Sequence, residues 1–486
     1  MYRVLLASVL LLSCSTYSFA TNDALQECIA QMTSDKTDVY TYTHSEYKTY
    51  HSPRPWMTSH IAHSGTMWVS SNSISLRDSF ATRDRAYISL KTFKEGVLLK
   101  QPLNSKQPAK ITKSMLANEV FRIAKHHPIL LLQKFGKLDK TNTQTSNKEH
   151  TIYSNKINDV PISLYINRYN QLDMVTITID DELYGDVVYT IRYTNYTNID
   201  KDIHYHYPQT ITFEQVNGIT DTLHLQYVKH IDKAPVLIEQ PADYKIHDDE
   251  PEVPHTATTQ KLSDHLYAIH LPQAESAALL VALDDFFVVV DAPLNSKNGE
   301  LVLAEAKKIA PNKPVKYYSF CHHHPWYIGG IRPFVHADAT VLTQASDISY
   351  LEFITLNPHT LSPDSLELQP KLLLTEVVEK TKTITDGKYK MILYHIGEKS
   401  EHTDDYTLFY FPEEKILFQG DMAFIKDGAP LRKAGSKQIA LYNAIKELDL
   451  EVDTIVQAWP WKNRYNMKTI IPFAELEASV QMNNEK

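Results

Sequence analysis

The chain has 486 residues, 43% of them apolar, enough material for two or three packed domains. Lys and Arg total 49 against 58 Asp and Glu, a formal charge of −9, and no basic run interrupts the acidic balance. That balance excludes nucleic acid as a partner, because a phosphate backbone demands a positive face.

Residues 1–20 read as an export signal. Arg3 supplies a positive start, Val4 to Leu12 a short apolar core, and Ser18-Phe19-Ala20 a small-x-small cleavage pattern. The core is too short to span a bilayer and no later apolar run reaches about 18 residues, so no transmembrane span is expected and the expected location is the periplasm. Leu11-Leu12-Ser13-Cys14 offers an alternative: it resembles the box where bacterial lipoproteins are cut and acylated, which would place a lipid anchor on Cys14. Cleavage after Ala20 leaves Cys28 and Cys321, which fall in different predicted domains and are expected as free thiols.

Residues 21–246 follow a mainly period-two pattern, clearest at 162–166, 175–179, 187–191, 210–213 and 223–228. These runs are rich in β-branched residues and Tyr and are separated by Asn, Asp and Gly, as antiparallel meanders are. One helical stretch, 113–133, carries Val120, Ile123 and Ala124 at helical spacing and is broken by Pro128. The expected unit is an antiparallel β domain with helix against one face. Its strand order, with Thr66-Met67-Trp68 leading into a meander that closes near Tyr207-Pro208, resembles the LolA-like half-barrels of bacterial envelope proteins. That resemblance implies a concave sheet with a lipid-like partner. His204 and His206 share one face of a predicted strand and read as surface residues.

Residues 247–257, opening with the acidic, proline-containing His247-to-His255 segment, read as a linker. From 258 to 486 strands and helices alternate. Strands are expected at 266–269, 277–282, 286–290, 315–320, 390–394, 406–411 and 416–418, and helices at 298–309, 437–447 and 471–480. This is one α/β unit.

The densest chemical signal is Cys321-His322-His323-His324-Pro325-Trp326-Tyr327-Ile328-Gly329-Gly330, directly after a predicted strand. In extended backbone His322 and His324 point the same way, so both imidazoles can reach one ion. His402, at a loop-to-strand junction, is the candidate third ligand; His395, inside a strand, competes less well. Asp421 ends the strand of Phe418-Gln419-Gly420-Asp421, the end at which α/β domains build their sites.

Together with Val288-Val289-Val290-Asp291 and the run from Tyr410 to Asp421, these residues make the second domain resemble the metallo-β-lactamase superfamily. The resemblance implies an αββα sandwich, within an α+β chain. Its loop reads His-x-His-x-Asp-His. His322 and His324 match the first two histidines, but Trp326 and Tyr327 stand at the Asp and last His, and Trp459 falls at or near the family's final histidine. His402 matches the third histidine and Asp421 the metal-bridging carboxylate. The implied site therefore holds one metal on His322, His324, His402 and Asp421, with aromatic rings filling the place of the second. Zinc is the expected ion; iron is the alternative, since His322, His402 and Asp421 make a two-His, one-carboxylate set. The family's water-orienting Asp is lost, so Asp421 or His323 would serve as base. Asp291 is expected to brace the histidine loop and Cys321 to be a small buried residue.

Two functions compete: an exported metal-dependent hydrolase acting on a small molecule, and a non-catalytic envelope binder of a lipid-like ligand with a degenerate second domain. A β-lactamase role is disfavoured, because the chain lacks groups those enzymes use.

Overall fold

A computed structural model describes residues 23–49, 52–81, 86–101, 105, 107–138, 143–199, 202–461 and 465–483. The export signal, its cleavage site and Cys14 lie outside the described residues, as does the side chain of His204.

The period-two segments build one antiparallel sheet of twelve strands. Strands run outward from Thr37–Lys48 to Val97–Gln101, then return from Thr143–Ser146 to Thr220–Ile231, which pairs back onto Thr37–Lys48. Alternation decides which face is covered: Ile162, Leu164 and Ile166 are buried, while Ser163 and Tyr165 between them are partly exposed. Helices Lys113–Ala124 and Ile129–Gly136 share the core of the buried face, with Val120, Ile123, Leu131 and Leu132 in one cluster with Leu164 and Val175. The break between them falls at Pro128, which has no N–H to continue the first helix and serves as N-cap of the second.

The acidic segment is docked at its start rather than free. Ile246 and His247 pair in parallel with Ile111 and Thr112, and Asp249 accepts hydrogen bonds from the backbone and hydroxyl of Ser114.

The second region has two sheets. Seven strands, from Thr258–Lys261 to Leu374–Val377, form the first, antiparallel up to Phe287–Val290 and parallel beyond it. Six, from Thr381–Thr385 to Ile470–Pro472, form the second. The strand Thr407–Phe411 shows why they stack: Phe409 and Phe411 join the core shared with the first sheet, whereas Leu408 and Tyr410 join Leu441, Ile445 and Leu476 of helices Ser436–Glu447 and Phe473–Gln481. Both faces of that strand are apolar because both are covered. Helix Ser296–Ile309 contributes Val302 and Ala306 to the core of the first sheet. The layers are those of an αββα sandwich.

Two elements of the twelve-stranded sheet reach the sandwich. The hairpin at 180–186 docks on 357–362: the Asp186 N–H donates to the Pro358 carbonyl (2.7 Å), and the Tyr184 and Tyr350 hydroxyls are 3.0 Å apart. Gly185 makes this approach possible, with φ +72° and a backbone so close that a Cβ would lie 2.3 Å from the Pro358 oxygen. The second element is the segment 52–56, whose Trp56 ring packs on Tyr184, Tyr350 and Phe353. Among the described residues, no helix is long and apolar enough to cross a membrane.

Candidate metal centre

The strand Val315–Ser319 delivers the histidine loop to the mouth of the sandwich, where His324 precedes the short helix Pro325–Ile328. Gly329 lets that helix lie against the neighbouring chain, since a Cβ there would meet the Leu294 backbone at 2.3 Å. Asp291, fully buried with φ +63°, braces the loop: Cys321 donates its N–H to Oδ1 (2.7 Å) and its thiol to Oδ2 (3.2 Å). Burial raises the Asp291 carboxyl to about 8 despite those two donors.

His402 arrives from the opposite loop. The Ser400 hydroxyl accepts from the N–H groups of His402 and Thr403 (3.1 Å each) and donates to the Thr403 carbonyl, closing a tight turn. Asp405 then ties the two loops together by accepting from the His323 backbone N–H (2.6 Å) and pairing with His323 Nδ1 (3.0 Å).

The result is a convergent triad. One nitrogen each of His322, His324 and His402 lies within 4.8 Å of the other two. His322 Nε2 and His324 Nδ1 are 3.2 Å apart, close to the roughly 3.3 Å expected for two nitrogens on a tetrahedral zinc. The tautomer of His324 follows from its partner: Nε2 lies 3.0 Å from the Ser52 carbonyl, which can only accept, so Nε2 carries the hydrogen and Nδ1 presents its lone pair. Burial, reinforced by the neighbouring imidazoles, lowers His322 far below its ordinary value, and burial lowers His324 to about 3. Both rings are therefore neutral at pH 7. His402 Nε2 is buried and faces Asp421 Oδ2 at 3.2 Å. Three inward-facing imidazoles, two of them held neutral, fit a borderline-soft dication and would hold it.

Asp421 stands beside this triad rather than within it. Its Oδ2 is 3.2 Å from His402 Nε2, its Oδ1 is 4.0 Å from His322 Nε2 and has no hydrogen-bond partner, and Lys437 Nζ lies 3.2 Å from Oδ2. Burial raises its carboxyl, but His402 and Lys437 outweigh that and keep it low. His323 is not brought into the set; its Nδ1 is engaged by Asp405. His395 also stays outside.

No family model and no curated protein matches the chain. Solved structures similar to its second half include a metallo-beta-lactamase from Pontibacter korlensis, at 17% identity and TM-score 0.34, covering 48% of this chain and 100% of that one. The metallo-beta-lactamase FIM-1 from Pseudomonas aeruginosa, in a mono-zinc form, is 16% identical with TM-score 0.34 and covers 49% and 98%. The rubredoxin oxygen:oxidoreductase of Desulfovibrio gigas is 16% identical with TM-score 0.33 and covers 47% and 62%.

Tyr327 is buried, with its ring 4.1 Å from that of His322, but Trp459 faces Phe424 and Tyr465 and remains partly exposed. The Lys437 ammonium meets the same Asp421 oxygen, Oδ2, that faces His402. Sequence reading missed Lys437, Tyr406 and Asp405. The Tyr406 hydroxyl accepts from the N–H groups of Gly420 and Asp421 (3.0 Å each), and its ring stacks on His322. Asp405 and Tyr406 adjoin the loop-to-strand junction that carries His402, while Lys437 was visible only as the start of a helix.

Proposed function

We propose that the chain is an exported hydrolase using one metal ion, preferably zinc, on a small ester, amide or thioester. What carries the reading is the triad: three imidazoles from two loops, their nitrogens mutually within 4.8 Å, with the His324 tautomer set by the Ser52 carbonyl. A bound dication would supply Lewis acidity and an acidified water at that point. The chain's own residues do the rest. His322, His324 and His402 bind, while Asp421 Oδ1, anionic and without a hydrogen-bond partner, accepts a proton. Tyr406 holds the Asp421 backbone in place. Zinc is favoured over iron because Lys437 already engages the carboxylate that a two-His, one-carboxylate site would need.

Freshly purified protein is expected to hold about one equivalent of zinc, lost in His402→Ala. Metal near zero in both proteins ends the reading.

A second reading has its own observation. A cavity of about 450 Å³ on the covered face of the twelve-stranded sheet is walled by Phe121, Ile177, Ile191 and Phe213, with the Lys125 ammonium 3.2 Å from the Phe213 ring centre. These walls suit an apolar ligand, with Lys125 and Arg122 balanced by Glu46 and Asp221 around it. Native mass spectrometry separates the two readings: co-purified lipid without metal supports the binder, and metal without lipid supports the enzyme.

A further inference from the structure

We infer that Lys437 takes the place of a second metal ion, acting as a positioning residue that holds Asp421 off the first one. The inference rests on the single-metal reading above and adds the group that enforces it.

Asp421 is a carboxylate set directly against the triad. One face is turned to His402 and His322, at 3.2 and 4.0 Å, and Oδ2 is also 3.2 Å from Lys437 Nζ. A carboxylate that meets both the imidazole cluster and a lysine ammonium is placed as a bridging ligand would be, with an ammonium in place of a second dication. Lys437 comes from the first turn of helix Ser436–Glu447, so its stem is anchored, and its other near neighbour is the Phe424 ring, 5.8 Å away. Phe424 in turn packs on Trp459. The second position is thus walled by rings and charged by lysine.

Two consequences follow from charge alone. A second dication beside the ammonium would be repelled, and Asp421 Oδ2 is already engaged by that ammonium. Asp421 is also pulled toward Lys437, which leaves the triad an open fourth position for water and keeps the carboxylate free as a proton acceptor. An ammonium is a better restraint here than a metal ion, because it cannot be exchanged or chelated away.

The test uses the full chain, zinc with a competing chromophoric chelator, and the absorption spectrum of the cobalt-substituted protein. Lys437→Met and the milder Lys437→Gln are expected to bind zinc at least tenfold more tightly than the parent, because a nearby positive charge is gone and Asp421 can coordinate. Their cobalt bands should shift as the carboxylate joins the ligand set. Lys437→Arg should match the parent, and adding Asp421→Asn to Lys437→Met should cancel the gain. A parent that binds one ion, with both neutral variants unchanged in affinity and cobalt spectrum, overturns this inference and leaves the single-metal reading standing. A parent that binds two ions overturns it as well, and a parent that binds none overturns both.

Discussion

His324 donates its Nε2 hydrogen to the carbonyl of Ser52, 3.0 Å away and 272 residues distant in sequence. One ligand of the candidate centre is therefore oriented by the other half of the chain. Such outer contacts fix the tautomer and raise ligand basicity.

Trp56 anchors the segment that carries this carbonyl, through Tyr184, Tyr350 and Phe353. Trp56→Ala is expected to lower stability by about 2 kcal/mol, less than a fully buried ring would cost because Trp56 is only partly buried. Zinc affinity should fall by roughly tenfold or more as the Ser52 carbonyl drifts. Urea midpoints and chelator competition measure the two effects. A stability loss with zinc affinity intact would show that the carbonyl does not govern the ligand.

Gly185 and Gly96 form a natural pair of controls. Both have φ near +70°, but a Cβ on Gly185 would strike the Pro358 oxygen at 2.3 Å, whereas Gly96 faces open space. Gly96→Ala should cost about 1 kcal/mol from backbone strain alone. Gly185→Ala should cost distinctly more and expose the 357–362 loop to protease. Equal costs would mean the hairpin does not depend on that close approach.

Stability should fall at both ends of the pH scale, for opposite reasons. Burial lowers His126 and His127 to about 3, so both are neutral in the fold and protonated first in the unfolded chain. Their contribution is complete above 6.5 and declines as pH falls toward 3, by about 1.4 kcal/mol per unit for each ring at most. His63 is the reverse case: burial would lower it, yet Asp78 at 2.9 Å and Glu46 at 3.1 Å hold it up at about 9. Its contribution is complete below 6.5 and disappears as pH rises through 9. Denaturation between pH 4 and 10 should show both limbs, with His63→Gln flattening only the alkaline one. An alkaline limb that persists in His63→Gln would refute the assignment.

The parts of the fold written in repeating patterns were readable in advance. The run 162–166 alternates because one face is covered, and Pro128 breaks its helix because the ring lacks a donor. His322 and His324 were readable because two residues apart on extended chain means the same side. Lys437 was not, since its partner Asp421 is 16 residues away and no spacing rule connects a helix start to a carboxylate at a strand end. Nor was Ser52: its contact with His324 is made by the carbonyl, which every residue possesses.

The Ser52–His324 bond also fixes an order of assembly. The segment that supplies the carbonyl is synthesised long before the histidine it orients, so the pocket is complete only once both halves have folded and met. On the single-metal reading, loading of an ion is then a late step of maturation, and a chain arrested before the halves dock would present three imidazoles with one of them free to turn its wrong nitrogen inward.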